Sequence, residues 1–126
     1  MLEEIIVSLG EYHPGILAEI GELLGKEGVN IETIAGSNFS GTGVLHIVVD
    51  DGEDAGEVLR ANGYTVSDTR PVMSATLDDQ PGEFGAYCRR LADAGVDISA
   101  VYVAKRGGGE TELIFAVDDV EAAKSA

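Results

Sequence analysis

The sequence predicts an α+β protein made of two tandem copies of one small module, each ordered strand, helix, strand, strand, helix, strand, with the second copy lacking its last strand. Three observations predict it. First, the segment Pro14-Gly15-Ile16-Leu17 through Gly28-Val29-Asn30-Ile31 returns as Pro81-Gly82-Glu83-Phe84 through Gly95-Val96-Asp97-Ile98, at a constant offset of 67 residues with no gap. Six identical pairs fall in it: Pro14/Pro81, Gly15/Gly82, Leu24/Leu91, Gly28/Gly95, Val29/Val96 and Ile31/Ile98. Average residue usage gives about one or two by chance, so the repeat is a duplication. Second, the apolar segments of each copy alternate between strand-like and helix-like patterning in one order. Third, 126 residues with 44% hydrophobic content suffice for one compact unit or two very small ones sharing a core.

In the first copy, Glu4 to Leu9 is a short apolar run containing Ile5, Ile6 and Val7, β-branched enough to read as a buried strand. Tyr12-His13-Pro14-Gly15 punctuates the chain, and Pro14 suits the first turn of a helix, where its missing N–H is not needed. Ile16, Leu17, Ile20, Leu23 and Leu24 follow at helical spacing, and Gly28 stands where a left-handed cap would stop the helix. Val29 to Ala35 reads as the second strand, Gly36 to Gly43 as a Gly-rich hairpin connection and Val44 to Val49 as the third strand. Asp50 or Asp51 can cap a helix over Glu53 to Asn62, closed by Gly63, and Tyr64 to Asp68 makes a fourth strand.

The second copy follows the same order through Val72 to Leu77, Glu83 to Ala94, Val96 to Ala104, Glu112 to Val117 and a helix opening near Asp119. Val49-Asp50-Asp51 reappears as Val117-Asp118-Asp119, now one residue out of step. The added residue is expected near Gly107-Gly108-Gly109, read as a hairpin tip, because loops absorb insertions cheaply. The element order is that of a ferredoxin-like sandwich (βαββαβ), both helices covering one face of an antiparallel sheet. The expected modules are residues 1–70 and 71–126, and the sheet of the second should expose an edge or borrow a strand.

The net charge of −15, from 23 acids against 8 bases, repels polyanions and offers few cations for phosphate neutralisation, so direct nucleic-acid binding is not expected. The acidity serves solubility, and a high-salt habitat is the other reading. The single cysteine, Cys88, excludes an intramolecular disulfide and a thiolate zinc site. No run approaches the roughly 20 apolar residues of a membrane span, and Met1-Leu2-Glu3-Glu4 is acidic where a secretory signal would be basic. A cytoplasmic protein with no membrane contact is the expectation.

A strand leading into x-Pro-Gly-x-Leu/Phe, a helix, and then Gly-Val-Asn/Asp-Ile entering a strand resembles the ACT family, and both copies carry it in register. The resemblance implies non-enzymatic regulation: modules pair side by side and bind small ligands, typically amino acids, between them. It implies a homodimer acting on an enzyme or transcription-factor partner, with no cofactor and no catalytic residue. The implied ligand-binding positions are Tyr12, His13, Gly15, Ile16, Leu17, Asn30 and Ile31 in the first copy, and Asp79, Gln80, Gly82, Glu83, Phe84, Asp97 and Ile98 in the second. Physical chemistry fits that use. Glycine at 15 and 82 allows close approach to the backbone, a helix start presents N–H groups to a carboxylate, and Asp79, Asp97 or the Asn30 oxygen can accept from an ammonium. The same residues also suit a plain strand-to-helix turn. The polar family position two before the Pro is Asp79 in the second copy but Tyr12 in the first, and Asp97 replaces the asparagine matched by Asn30. Asn30 with the first-copy loop is therefore favoured.

Other signals carry less. His13 and His46 lack the spacing of a metal site, so no metal is expected. The two Val-Asp-Asp segments read as helix caps, not as catalytic or calcium carboxylates. Gly36 to Gly43 lacks the Gly-Lys-Ser/Thr ending of a phosphate loop, and Cys88 reads as core. Two alternatives stay open. One is a ligand-free structural or dimerisation module; the other is an enzyme on the same fold, such as an acyl-phosphate hydrolase. Against the latter, Tyr12 to Gly15 and Asp78 to Gly82 contain no Arg or Lys for an anion.

Overall fold

The computed structural model describes residues 2–126; Met1, which the sequence reading places in the first module, lies outside them. The chain divides into two compact units, one ending at Arg70 and one running Pro71–Ala126. The first contains β1 (Glu3–Leu9), α1 (Ile16–Lys26), β2 (Ile31–Phe39), β3 (Thr42–Val49), α2 (Gly52–Ala61) and all but the last residue of β4 (Thr65–Pro71). Its four strands lie in the order β2-β3-β1-β4, the antiparallel ferredoxin-like arrangement.

The core of this unit follows from two periodicities. Alternate β1 residues Ile5, Val7 and Leu9 point to one face, and every fourth residue of α1, Ile16, Ile20 and Leu24, points back at them. Leu45 and Ile47 of β3 and Leu59 of α2 complete the cluster. Two glycines let the strands meet it: a Cβ on Gly43 would lie 2.9 Å from Leu9 Cβ, and one on Gly36 would lie 3.0 Å from Leu45 Cδ1.

The β2–β3 hairpin is tighter than its Gly-rich composition suggests. Pairing runs to Phe39 opposite Thr42, leaving only Ser40 and Gly41 at the tip, both with positive φ (53° and 80°). Such a turn matches the strand twist, so the ladder extends through residues expected to be loop. Pro14 also differs from expectation. It precedes the helix, in a turn where Ile16 N–H donates to the His13 carbonyl at 3.3 Å and Gly15 takes φ 94°, ψ −10°. Pro then Gly are the central residues of a type II turn, which demands φ > 0 at the second.

β1 also buries a carboxylate. Glu4 has no exposed surface; its Oε1 accepts from Arg70 Nε on β4 at 2.6 Å, and its Oε2 lies 3.2 Å from His46 Nδ1 on β3. A buried acid needs such partners on both oxygens.

The second unit contains β5 (Met73–Asp78), α3 (Glu83–Asp93), β6 (Ile98–Gly107), β7 (Glu110–Val117) and α4 (Val120–Ser125). Its order, β5-β7-β6, repeats β1-β3-β2; among the described residues no strand corresponds to β4, so β5 is an edge strand of this sheet. Met73, Leu91, Leu113, Phe115 and Val117 form its core, with the Phe84 ring stacked on Phe115 (centroids 6.5 Å) and the Tyr87 ring tilted against it (5.3 Å).

The residue added to the second copy is not in the hairpin tip. Gly107 pairs with Glu110 across Gly108 and Gly109, a tip as short as Ser40-Gly41. Instead β6 has 10 residues against 9 in β2. Both strands share a register break at their start, Ile31/Thr33 and Ile98/Ala100, but β6 alone has a second between Val103 and Lys105. The insertion is a β-bulge at Ala104. A bulge turns the following side chains to the opposite face, so Lys105 pairs with Glu112 and Arg106 with Thr111, on the face that Val103 shares with Leu113.

Candidate functional site

The four helices of the described residues begin in two different ways. α2 and α4 start on Asp51 and Asp119, whose side chains accept from Asp54 N–H at 3.2 Å and Ala122 N–H at 2.9 Å. α1 and α3 start on Gly15 and Gly82, which have no side chain to offer and no side-chain cap. In the second unit Glu83 N–H donates to the Gln80 carbonyl at 3.2 Å, closing the same type II turn with Gly82 at φ 89°. The duplicated turns thus leave first-turn N–H groups uncapped by side chains at the same place in both units, where a helix terminus favours an anion.

Within each unit the implied site residues separate into two ends. Tyr12 to Leu17 lie beyond the end of β1, while Asn30 and Ile31 start β2 level with the beginning of β1, since Ile31 and Glu3 both pair with Val49. The length of β1, seven residues, separates them by about 20 Å. Asn30 donates to Glu32 at 3.2 Å and lines a cavity of about 540 Å³ with Asp50, Asp51, Asp54 and Glu57. There Asp51, the largest influence, and Glu57 push the Asp54 carboxyl above its usual range. Asp97 is likewise held at the far end, exchanging 2.9 and 3.1 Å bonds with Asp118. Ile16 is core, and Ile31 and Ile98 pack against the cores. Leu17 is exposed, Gly15 has open space where a Cβ would stand, and His13 bonds the adjacent Pro14 carbonyl at 2.9 Å. Tyr12 lies over Gly43, whose Cβ would be 3.2 Å from its ring.

The second unit brings Asp79, Gln80 and Phe84 together. They line a cavity of about 330 Å³ with Leu77, Val101, Val103, Leu113 and Arg106, near the low end of the roughly 300–1,000 Å³ typical of small-molecule sites. Gly82 and Glu83 sit in the turn beside it. The walls are mainly apolar, with Asp78, Tyr102 and Thr111 also in the lining, and Phe84, Val101 and Val103 are exposed. At the rim, Arg106 Nη2 donates to both Asp79 oxygens, at 2.8 and 2.9 Å. Those hydrogen bonds, and then the Asp79 charge, raise the guanidinium pKa further. The first unit cannot make this pair: Tyr12 holds the place of Asp79, and Asn38 that of Arg106.

Arg106, Leu77, Val101 and Val103 are absent from the residues that the sequence singles out. The signal for Arg106 is the change of offset, which becomes legible only when the two hairpin tips are aligned and the extra residue is forced into the strand. Cys88 is half-buried beside the second core, and burial pushes its thiol upward. Among the described residues no helix is long and apolar enough to cross a membrane, and no group of three or more His, Cys, Asp or Glu side chains could hold a metal ion.

The fold recurs in solved structures. Protein BT0572 from Bacteroides thetaiotaomicron matches with a TM-score of 0.82 at 20% identity, over 98% of this chain and 83% of that one. The ligand-free regulatory subunit of aspartate kinase from Thermus thermophilus matches with a TM-score of 0.74 at 18% identity, over 97% and 87%. The corresponding subunit from Thermus flavus matches at 0.69 and 17% identity, again over 97% and 87%. No curated protein matches the sequence. The family model described as an ACT domain pair matches residues 4–126. Together with the duplicated Pro-Gly turn, the two ferredoxin-like sheets and the matching element order, this places the chain in the ACT domain pair family.

Proposed function

We propose that this protein is a non-enzymatic regulator that binds an amino acid at its ACT modules and signals by changing its association with a partner protein. The observation that carries the reading is the contrast in helix starts: α1 and α3 begin on bare glycines after a type II turn, while α2 and α4 are capped by aspartate. An uncapped helix start at the same place in both units suits a ligand carboxylate. The separation of Tyr12 to Leu17 from Asn30 by the length of a strand means that one small molecule bound to a single module reaches one end or the other, not both.

Although the sequence favours Asn30 with the first-copy loop, we take the second unit as the better binding copy. It has the apolar cavity and Asp79, whereas the first presents Tyr12 and serves mainly as a structural and pairing module. The protein works as a homodimer in the cytoplasm. Its output passes to an enzyme or transcription factor, through ligand affinity that differs between two assembled states. The regulatory subunit of aspartate kinase, similar in fold, supports an enzyme subunit as the partner class.

A thermal-shift screen of the full chain against the twenty amino acids, paired with sedimentation velocity, tests this. A ligand at a hundred times its Kd adds about 2.7 kcal/mol, so a dose-dependent rise in Tm for one chemical group of amino acids, with a change in sedimentation, is expected. Unchanged melting at millimolar levels of every amino acid would replace the sensor with a ligand-free pairing module.

A further inference from the structure

The one-residue insertion that distinguishes the second unit from the first has a chemical result. Regular alternation after Val103 would bring Lys105 to the helix-covered face and send Arg106 to the other. The bulge at Ala104 reverses this, pairing Arg106 with Thr111 on the face of Val103 and Leu113. The guanidinium therefore stands at the rim of the 330 Å³ cavity and meets Asp79 from the β5–α3 turn.

This rim ion pair is incomplete in a specific way. Arg106 uses a single nitrogen, Nη2, for both Asp79 oxygens, and a guanidinium carries five N–H donors in a planar fork. Nε and Nη1 are left to donate to a second carboxylate. Asp79, partly exposed, has acceptor capacity beyond one nitrogen, since a carboxylate offers about four lone-pair sites. A fixed positive group and a fixed negative group side by side complement a molecule that carries both charges on adjacent atoms. Below them Leu77, Phe84, Val101, Val103 and Leu113 present an apolar wall, and three of these large side chains stand open to solvent. Exposed apolar groups gathered in a concave site mark a place for an apolar occupant.

We propose that the second unit recognises a zwitterionic α-amino acid with an apolar side chain, placing its carboxylate on Arg106, its ammonium on Asp79 and its side chain in the cavity. The inference rests on the amino-acid-binding reading above and narrows it to one class of ligand, with Arg106 as a specificity-determining residue. Charged and small polar amino acids are disfavoured because Leu77, Phe84, Val101, Val103 and Leu113 outweigh the polar lining residues Asp78, Gln80 and Thr111, so most of the wall would strip water from such a side chain without replacing it.

Isothermal titration calorimetry of the full chain tests it, using L-leucine, L-methionine and L-phenylalanine against L-aspartate, L-lysine and L-serine. Two leucine analogues go alongside: leucinamide, which lacks the carboxylate, and 4-methylpentanoate, which lacks the ammonium. The apolar amino acids bind, and each analogue binds at least tenfold more weakly than leucine, the loss expected for one charge-assisted hydrogen-bonded contact. Arg106→Leu weakens leucine at least tenfold and no longer distinguishes it from leucinamide; Asp79→Asn does the same for 4-methylpentanoate. Arg106→Lys, which keeps the charge without the fork, falls between. Both residues are exposed at the rim, and an unchanged circular dichroism melt verifies the fold of each variant. Binding of apolar amino acids with the same Kd in Arg106→Leu and Asp79→Asn overturns the assignment while leaving the amino-acid reading intact. So does binding confined to charged or polar amino acids. Absence of binding by any amino acid overturns both.

Discussion

The buried Glu4 carboxylate offers the most quantitative test of how the first unit is held together. Arg70→Met keeps most of the aliphatic packing and removes the cation that donates to Glu4 at 2.6 Å. Breaking a buried pair on one side costs roughly 3–5 kcal/mol, and a hydrogen bond to a charged group contributes roughly 1.5–3 kcal/mol. The lower part of that span applies here. Arg70 keeps 29% of its side chain in water, and His46 still faces the other Glu4 oxygen at 3.2 Å. The expected loss is about 2–3 kcal/mol. Glu4→Gln removes the charge but keeps a polar side chain, and in that background Arg70→Met should cost only about 1 kcal/mol, the share of a neutral contact and packing. The double-mutant cycle, measured by urea denaturation at neutral pH, then yields a coupling of about 1–2 kcal/mol. Losses that add to within about 0.3–0.5 kcal/mol would refute the claim that Arg70 stabilises the fold through the Glu4 charge.

Three further outcomes follow from the local geometry. Gly82→Ala places a side chain at φ 89° in open space, so only backbone strain opposes it; a loss of about 1–2 kcal/mol is expected, with a much smaller loss for Gly82→Asn. Asp119→Ala removes the acceptor for Ala122 N–H and costs about 1 kcal/mol, whereas Asp119→Asn keeps the cap and most of the stability; thermal melts compare the two. Burial is the first cause raising Tyr64, Tyr87 and Cys88, with Glu19 adding to the rise at Tyr64 and Arg90 opposing it at Tyr87. Each group is neutral when protonated, so the folded state holds its proton to higher pH than the unfolded chain. Stability from these groups is full below the ordinary thiol value of 9.0 and falls as pH rises past it and past the ordinary tyrosine value of 10.0. Urea midpoints rising between pH 8 and 11 would contradict this sign.

Much of the fold was legible because the chain states it twice. The 67-residue offset exposes the repeated element order, and the spacing of Ile16, Ile20 and Leu24 marks the buried face of α1 without any tertiary information. The Val-Asp-Asp segments read correctly as caps because N-capping depends on residues three apart. Hairpin lengths were less legible. Gly36 and Gly43 look like loop residues, but they are strand glycines kept small by Leu45 and Leu9 across the sheet, contacts that composition cannot reveal. The Glu4 cluster escaped because its partners lie 42 and 66 residues away. Arg106 escaped for a related reason: an insertion is located by pairing register, and register is a property of two strands. Local sequence favours a loop of three glycines as its place, yet the tip is already complete with Gly108 and Gly109, so the extra residue goes into β6.

Titrating the uniformly 15N-labelled chain with L-leucine and following backbone amide shifts reports on an amino-acid site in the second ACT unit. Saturable changes are expected at Phe84 and Gly85 in the first turn of α3 and at Val103 to Arg106 around the bulge, with Asn30 and Asp50 to Asp54 little moved. Changes confined to the acidic cavity around Asn30, or no change up to millimolar leucine, would contradict that site.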